Sequence, residues 1–116
     1  MTIRTLKDAL DSEDLSCDDV LCCIMGLTST DANVFSKVTK EMSVKQVMNL
    51  TKKSQPRVQI SLNKLVSERF LERKQAKSTR GIKYSYVPVD RNLVKKKLLK
   101  QLKKSYSHMK KEIESL

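Results

Sequence analysis

The chain has 116 residues, with 24 lysines and arginines against 13 aspartates and glutamates, which gives a net charge of +11 and a pI near 9.7. This length suits one small domain with appended helices and is short for an enzyme with a deep cleft. The excess of positive charge predicts a polyanionic partner, either a nucleic acid or an anionic membrane surface.

The N-terminal part of the chain predicts a supporting layer of helices. A short amphipathic segment is expected over residues 1–16, followed by a helix from about Asp18 to Met25 that ends at Gly26. A further helix is predicted to start at residues 28–30 with its apolar side chains turned inward. The apolar residues that define the first segment and this last helix are Leu6, Leu10, Leu15, Val34, Phe35 and Val38.

Residues 43–88 predict two short helices across a tight turn, followed by a β-hairpin. Ser43 can cap the first helix, whose apolar positions recur at helical spacing, and residues 51–53 interrupt that spacing. Ser54 offers a second cap, with Pro56 in the first turn of the next helix, where its fixed φ and missing donor are harmless. This order is the plan of a winged helix-turn-helix, in which the second helix enters the major groove of DNA.

The second of these helices, which starts near residue 55, has an apolar side and a polar side. Arg57 can give two hydrogen bonds to guanine, and Asn63 and Gln59 can each pair with an adenine edge. Ile60 has no packing reason to lie among polar residues, and contact with a thymine methyl would supply one. The predicted base-reading residues are Arg57, Gln59, Ile60, Asn63 and Lys64. The alternative is an ordinary solvated face, with Ile60 packed on a neighbouring element.

Two extended runs within residues 70–87 flank a loop predicted at residues 76–81. In the second run Ile82, Tyr84 and Tyr86 alternate with polar residues, which is typical of a half-buried strand. Basic side chains near the loop suit contacts to phosphates, which position a protein on DNA and carry little sequence information. The predicted phosphate and wing contacts are Lys53, Ser54, Lys74, Lys77, Arg80 and Lys83. A solvated turn with incidental charge is the alternative.

A family resemblance rests on motifs spread over a little more than half of the chain. They are Gly26-Leu27-Thr28 before a helix with Asp31, Val34 and Phe35, the start Pro56-Arg57-Val58 of the second helix with Leu62 and Leu65 inside it, and Tyr84 to Pro88. In these motifs the chain resembles the TrmB-like archaeal winged-helix transcriptional regulators and, more distantly, the MarR-type regulators. The resemblance implies a winged-helix DNA-binding regulator. One departure is Arg69, which stands where such proteins place a glycine and would need a left-handed conformation or a different helix end.

After the hairpin, Asp90 can cap a helix of about 26 residues, roughly 39 Å long at 1.5 Å per residue. Its apolar residues recur at spacings of three and four along one stripe, which predicts a two-fold homodimer with recognition helices about 34 Å apart. The predicted dimer residues are Val94, Leu98, Leu102, Tyr106, Met109, Ile113 and Leu116. Folding back onto its own domain is the alternative. The opposite face is rich in lysine, which adds affinity and salt dependence more than selectivity.

Charge is segregated along the chain, and the residue types needed for catalysis are missing. Residues 1–31 hold two basic and seven acidic side chains, a balance of −5, whereas residues 32–111 hold 22 and four, a balance of +18. The single histidine and the spacing of the three cysteines form no metal or nucleophile motif, so we expect neither an enzyme nor a cofactor. No transmembrane or signal segment is visible, and a soluble, cytoplasmic protein is expected.

The predicted fold class is mainly α with a small β-hairpin wing, arranged as an N-terminal segment (1–16), a winged helix-turn-helix (17–89) and a C-terminal dimerisation helix (90–116). The expected function is sequence-specific binding of double-stranded DNA by a homodimeric transcriptional regulator of archaeal type, without a membrane partner. The sequence leaves any small-molecule effector open. The alternatives are a sequence-neutral architectural or chromatin protein and a winged-helix module that binds another protein.

Overall fold

The computed structural model describes residues 16–116, so the amphipathic segment expected near the N-terminus lies almost entirely outside the described residues. Within residues 16–116, five helices and one antiparallel hairpin follow one another, as the sequence predicts. The elements are α1 (Cys17–Met25), α2 (Ser29–Lys37), α3 (Val44–Thr51), α4 (Gln55–Ser67), β1 (Leu71–Ser78), β2 (Gly81–Pro88) and α5 (Arg91–Glu114). Within residues 16–116 no helix is both long enough and apolar enough to cross a membrane.

The first three helices all begin at capping boxes, in which a hydroxyl and the side chain three residues later satisfy backbone N–H groups at the helix start. The hydroxyls belong to Ser16, Thr28 and Ser43. Ser54 precedes α4 as expected, but its hydroxyl makes no capping hydrogen bond, and the helix start depends on Pro56 in its first turn. The Ser54 hydroxyl is therefore not used by the helix.

Two non-glycine residues in the left-handed region close the ends of the helix-turn-helix. Lys52, with φ 56°, ends α3 and donates its backbone N–H to the carbonyl of Met48 at 2.8 Å. Arg69, with φ 63°, follows α4, so the left-handed alternative considered for it is the correct one. Its N–H donates to Val66 and that of Phe70 to Leu65, the paired hydrogen bonds of a Schellman motif. Three residues separate α3 from α4, which makes the turn tight.

The hairpin is longer and its loop shorter than predicted. Strands β1 and β2 pair from Leu71 with Pro88 to Ser78 with Gly81, leaving a two-residue turn at residues 79–80. The expected loop over residues 76–81 is wrong because small and charged residues there continue the ladder instead of ending it. A further strand pairing was not predicted: Met42, before α3, exchanges backbone hydrogen bonds of 2.9 and 2.8 Å with Tyr86.

The hydrophobic core lies beneath α4. Val58, Leu62 and Leu65 of that helix are fully buried, and they pack in one cluster with side chains of α2, the hairpin and α5. Phe70 and Tyr86 are the largest fully buried side chains of that cluster. Only the first turns of α5 join the core, and the helix then extends outward from a molecule that measures 62 × 27 × 21 Å. The core therefore contacts α4 along one side and α5 only near its N-terminal end.

Candidate nucleic-acid interface

One flank of α4 faces away from the rest of the described chain. Arg57 and Asn63 are exposed, and Ile60 between them is 66% exposed. The opposite flank, carrying Val58 and Leu62, is fully buried. Ile60 therefore has no neighbouring element on which to pack, and the alternative that explained it by packing does not hold within residues 16–116. An exposed β-branched side chain on a polar flank is available for an apolar contact with a partner.

Gln59 lies at the edge of this flank and is half-buried. Its Nε2 donates one hydrogen bond of 2.9 Å to Asn63 Oδ1, one helical turn later, and another of 2.9 Å to the hydroxyl of Tyr86. The Tyr86 side chain is 1% exposed. Gln59 thus joins the polar flank of α4 to the hairpin, a contact that neither residue's position in the sequence predicts.

Lys64, predicted to read bases, is engaged within the protein. Its ammonium lies 3.3 Å from the Asp31 carboxylate and donates to the carbonyl of Gly26 at 3.1 Å. Asp31 is buried and accepts hydrogen bonds from the Ser61 hydroxyl at 2.6 Å and from the backbone N–H of Thr28 at 3.0 Å. Lys64 therefore helps to hold α4 on α2, and a role in base reading would require it to leave Asp31.

The titration of Asp31 follows from these contacts. Burial raises its pKa, but the hydrogen bonds from Ser61 and Thr28, together with Lys64, outweigh burial, so that the pKa lies below its ordinary value of 3.8. Asp31 is consequently charged at neutral pH. The sequence showed Asp31 only as a helix residue, because its partner Ser61 is thirty residues away.

The residues predicted to contact phosphates lie at the start of α4 and along the hairpin. Lys53 is half-buried, and Ser54 is exposed. The register places the hairpin cations on both of its faces, because directly paired residues share a face and successive residues alternate. The predicted hairpin cations Lys74, Lys77, Arg80 and Lys83 are all exposed.

One face of the hairpin differs from its prediction. Tyr86 is buried as expected for alternate residues of a half-buried strand, but Ile82 and Tyr84 are 54% and 43% exposed because the hairpin extends past the core. The Arg73 guanidinium lies 4.8 Å from the centre of the Tyr84 ring, a cation–π distance. Arg73 was not among the predicted wing contacts. Its position in a basic strand that pairs with a strand containing tyrosines could have indicated it.

Helix α5 divides the predicted dimer residues into two groups. Val94 is 4% exposed and belongs to the core of its own domain, and Leu98 packs against that core. The other members are between 48% and fully exposed, and they lie with the exposed Leu99 at alternating spacings of three and four residues. This heptad stripe, as we define it, comprises Leu99, Leu102, Tyr106, Met109, Ile113 and Leu116. The sequence pattern assigned Leu98 rather than Leu99 to the stripe, because residues spaced by four also lie on one side of a helix.

No protein-family model and no curated protein matches the chain. Solved structures do match it. One is described as a possible transcriptional regulator from Methanosarcina mazei Go1, is 22% identical, and superimposes with a TM-score of 0.76 over 84% of this chain and 86% of that one. Another is a protein from the thermoacidophilic archaeon Sulfolobus tokodaii, 24% identical, with a TM-score of 0.68 over 78% of this chain and 92% of its own. At these identities the likeness shows a shared fold, which includes most of the chain.

Proposed function

We propose that this protein is a sequence-specific, double-stranded DNA-binding transcriptional regulator of the TrmB-like or MarR-like type that acts as a homodimer. The observation that carries the proposal is the exposed polar flank of α4, on which Arg57, Ile60 and Asn63 are exposed while the opposite flank is buried. A helix held from one side in a helix-turn-helix is suited to enter the major groove. The description of one fold neighbour as a possible transcriptional regulator agrees with this proposal.

Base reading is assigned to the exposed flank of α4. The Arg57 guanidinium can donate two hydrogen bonds to guanine O6 and N7, and Ile60 can contact a thymine methyl. Asn63 and Gln59 offer amide groups to a base edge. Lys64 belongs to this set only if DNA draws its ammonium away from Asp31, to which it is bound at 3.3 Å.

Phosphate contacts are assigned to the start of α4 and to the hairpin. Ser54 is exposed, and its hydroxyl is not used in capping, so it can donate to a phosphate oxygen at the positive end of the helix. The predicted hairpin cations, with Arg73 added, lie on both sides of the wing and can follow a backbone. Because such contacts are common to all sequences, they supply affinity and salt dependence.

The homodimer is proposed from the heptad stripe. Five of its six apolar residues are exposed on α5, a helix about 36 Å long at 1.5 Å per residue that leaves its own domain, and the sixth, Leu116, lies just beyond the helix end. Alternating spacings of three and four are the repeat of a coiled coil, so the same stripe of a second copy is the matching surface. A two-fold axis along α5 would present two copies of α4 to successive major grooves.

A second candidate is a sequence-neutral architectural protein, favoured by the basic face of α5. That face consists of exposed residues Arg91, Lys95, Lys96, Lys100, Lys103, Lys104, Lys110 and Lys111. Lysine supplies charge without base specificity.

The proposed regulator of archaeal type acts on the genome, and its proposed location is therefore the cytoplasm.

Titration of labelled genomic fragments over a range of salt concentrations tests the proposal. A regulator retains a few fragments after the others dissociate, because specific contacts persist when counterion release no longer favours binding. Loss of all fragments at one salt concentration favours the architectural role. Absence of binding at low salt contradicts both roles and favours a module that binds protein.

A further inference from the structure

Gln59, Asn63 and Tyr86 form one hydrogen-bonded group that spans α4 and the hairpin. Gln59 Nε2 donates both of its protons, to Asn63 Oδ1 and to the Tyr86 hydroxyl, each at 2.9 Å. An amide with both protons engaged cannot turn freely. The group therefore holds the Asn63 carboxamide, which is exposed, against an anchor in the hairpin.

Tyr86 is suited to be that anchor. Its side chain is fully buried, and its backbone exchanges two hydrogen bonds with Met42 on one side while it pairs with Arg73 of β1 on the other. A residue whose ring is buried and whose backbone pairs with Met42 and with β1 has little freedom to move. Its hydroxyl is thus a fixed point from which Gln59 is positioned.

Two amide atoms are not used in these hydrogen bonds: Gln59 Oε1, which is an acceptor, and Asn63 Nδ2, which is a donor. Neither has another hydrogen-bond partner among residues 16–116. Adenine presents an N6 donor and an N7 acceptor in the major groove, whereas guanine presents two acceptors. Rotating both amides by 180° exchanges their roles and still leaves one donor and one acceptor unused, so adenine remains the matching base.

We infer that Gln59 and Asn63 read one adenine as a single unit and that Tyr86 is the positioning residue that fixes this unit. The inference rests on the proposed DNA-binding function and deepens it by naming the base and the residues that select it. It differs from reading by two independent side chains, because removal of the Tyr86 hydroxyl, which never touches DNA, alters base choice.

The test compares duplexes that differ only in A or G at the selected position, after a binding site has been obtained from fragmented DNA. For the unaltered protein we expect A to be preferred by roughly tenfold or more, as for a bidentate base contact. Tyr86→Phe and Gln59→Leu should each reduce this preference to about one third or less, and the double variant should reduce it no further. Tyr84→Phe, which removes a hydroxyl two residues away on the same face of β2, is the matched control and should leave it unchanged.

Two further readouts separate positioning from stability and from failure of the proposed function. Thermal unfolding of Tyr86→Phe should show a folded protein, because the ring remains in the core, and the side-chain amide NMR signal of Gln59 should shift in the absence of DNA. A uniform loss of affinity for A and G duplexes in Tyr86→Phe, with the preference for A retained, would overturn the inference alone. If the unaltered protein binds all duplexes alike, the proposed function fails first, and the inference fails with it.

Discussion

The contact between Asp31 and Ser61 holds α4 on α2, and its removal gives the sharpest prediction for stability. Asp31 is 3% and Ser61 2% exposed, and the 2.6 Å hydrogen bond between them joins a charged acceptor to a hydroxyl donor. A hydrogen bond to a charged group contributes about 1.5–3 kcal/mol. We therefore expect Ser61→Ala to lower the free energy of unfolding by about 2 kcal/mol.

Asp31→Ala should cost more, about 3 kcal/mol, because it leaves the Ser61 hydroxyl buried without a partner and removes half of a capping box. Lys64→Met should cost about 1 kcal/mol at most, since the lysine is 38% exposed and its ion pair is screened by solvent. Ser61→Ala introduced into the Asp31→Ala variant should add little, because the hydrogen bond that the two residues share is already absent.

The same carboxylate predicts a dependence of stability on pH. Its folded-state pKa lies below the ordinary value of 3.8, so its stabilisation is present above that value and is lost as the pH falls through the lowered pKa. Urea unfolding at pH values from 7 to 2 measures it, with Asp31→Asn as the control that should lose this part of the acid dependence. Additive losses in the double variant, or an unchanged acid slope in Asp31→Asn, would refute the reasoning.

Three further predictions concern the end of α4, the proposed DNA contacts and the proposed dimer. Arg69→Gly should raise the free energy of unfolding by about 0.5–1 kcal/mol in urea unfolding, because glycine removes the left-handed strain at φ 63°. Ser67→Gly, at the last residue of the helix, where φ is not positive, is the control and should not raise it. Arg57→Ala should lose about 1–3 kcal/mol of selectivity at one base position. Lys77→Ala should weaken binding to all DNA sequences alike and reduce the slope of log affinity against log salt concentration by about one. Equal losses of affinity for specific and random duplexes in both variants would contradict the assignment. Met109→Asp should convert a dimer to monomers in sedimentation without unfolding the domain, and a monomeric unaltered protein would rule out the dimer.

The order and type of the elements could be predicted because each depends on neighbours in the chain. The cap at Ser43 and the break before Pro56 act within a few residues, and both appear where expected. β2 also forms, although only Tyr86 of its alternating apolar residues is buried. The loop of the hairpin was predicted too long, since Ala76 and Lys77 have little preference for a strand and pair because the ladder already extends to them.

The candidate site was only partly predictable. The sequence placed Arg57, Ile60 and Asn63 on one helical flank, and their exposure agrees with that placement. It could not show that Lys64 contacts Asp31 or that Gln59 contacts Tyr86, because these partners are 33 and 27 residues apart and meet only when α4 packs on α2 and on the hairpin. Periodicity indicates which residues share one side of a helix, but it does not identify the distant residues that contact that side.

Local chemistry alone therefore establishes the helices, the hairpin and the polar flank of α4, since hydrogen bonding and apolar spacing within a few residues are enough to specify them. Packing between distant segments sets the remaining properties: which polar side chains of that flank are engaged internally, how far the hairpin extends beyond the core, and where α5 leaves its own domain after Leu98. The physical reason is that burial and long-range hydrogen bonds depend on positions in space, which residues far apart in the chain share only after folding.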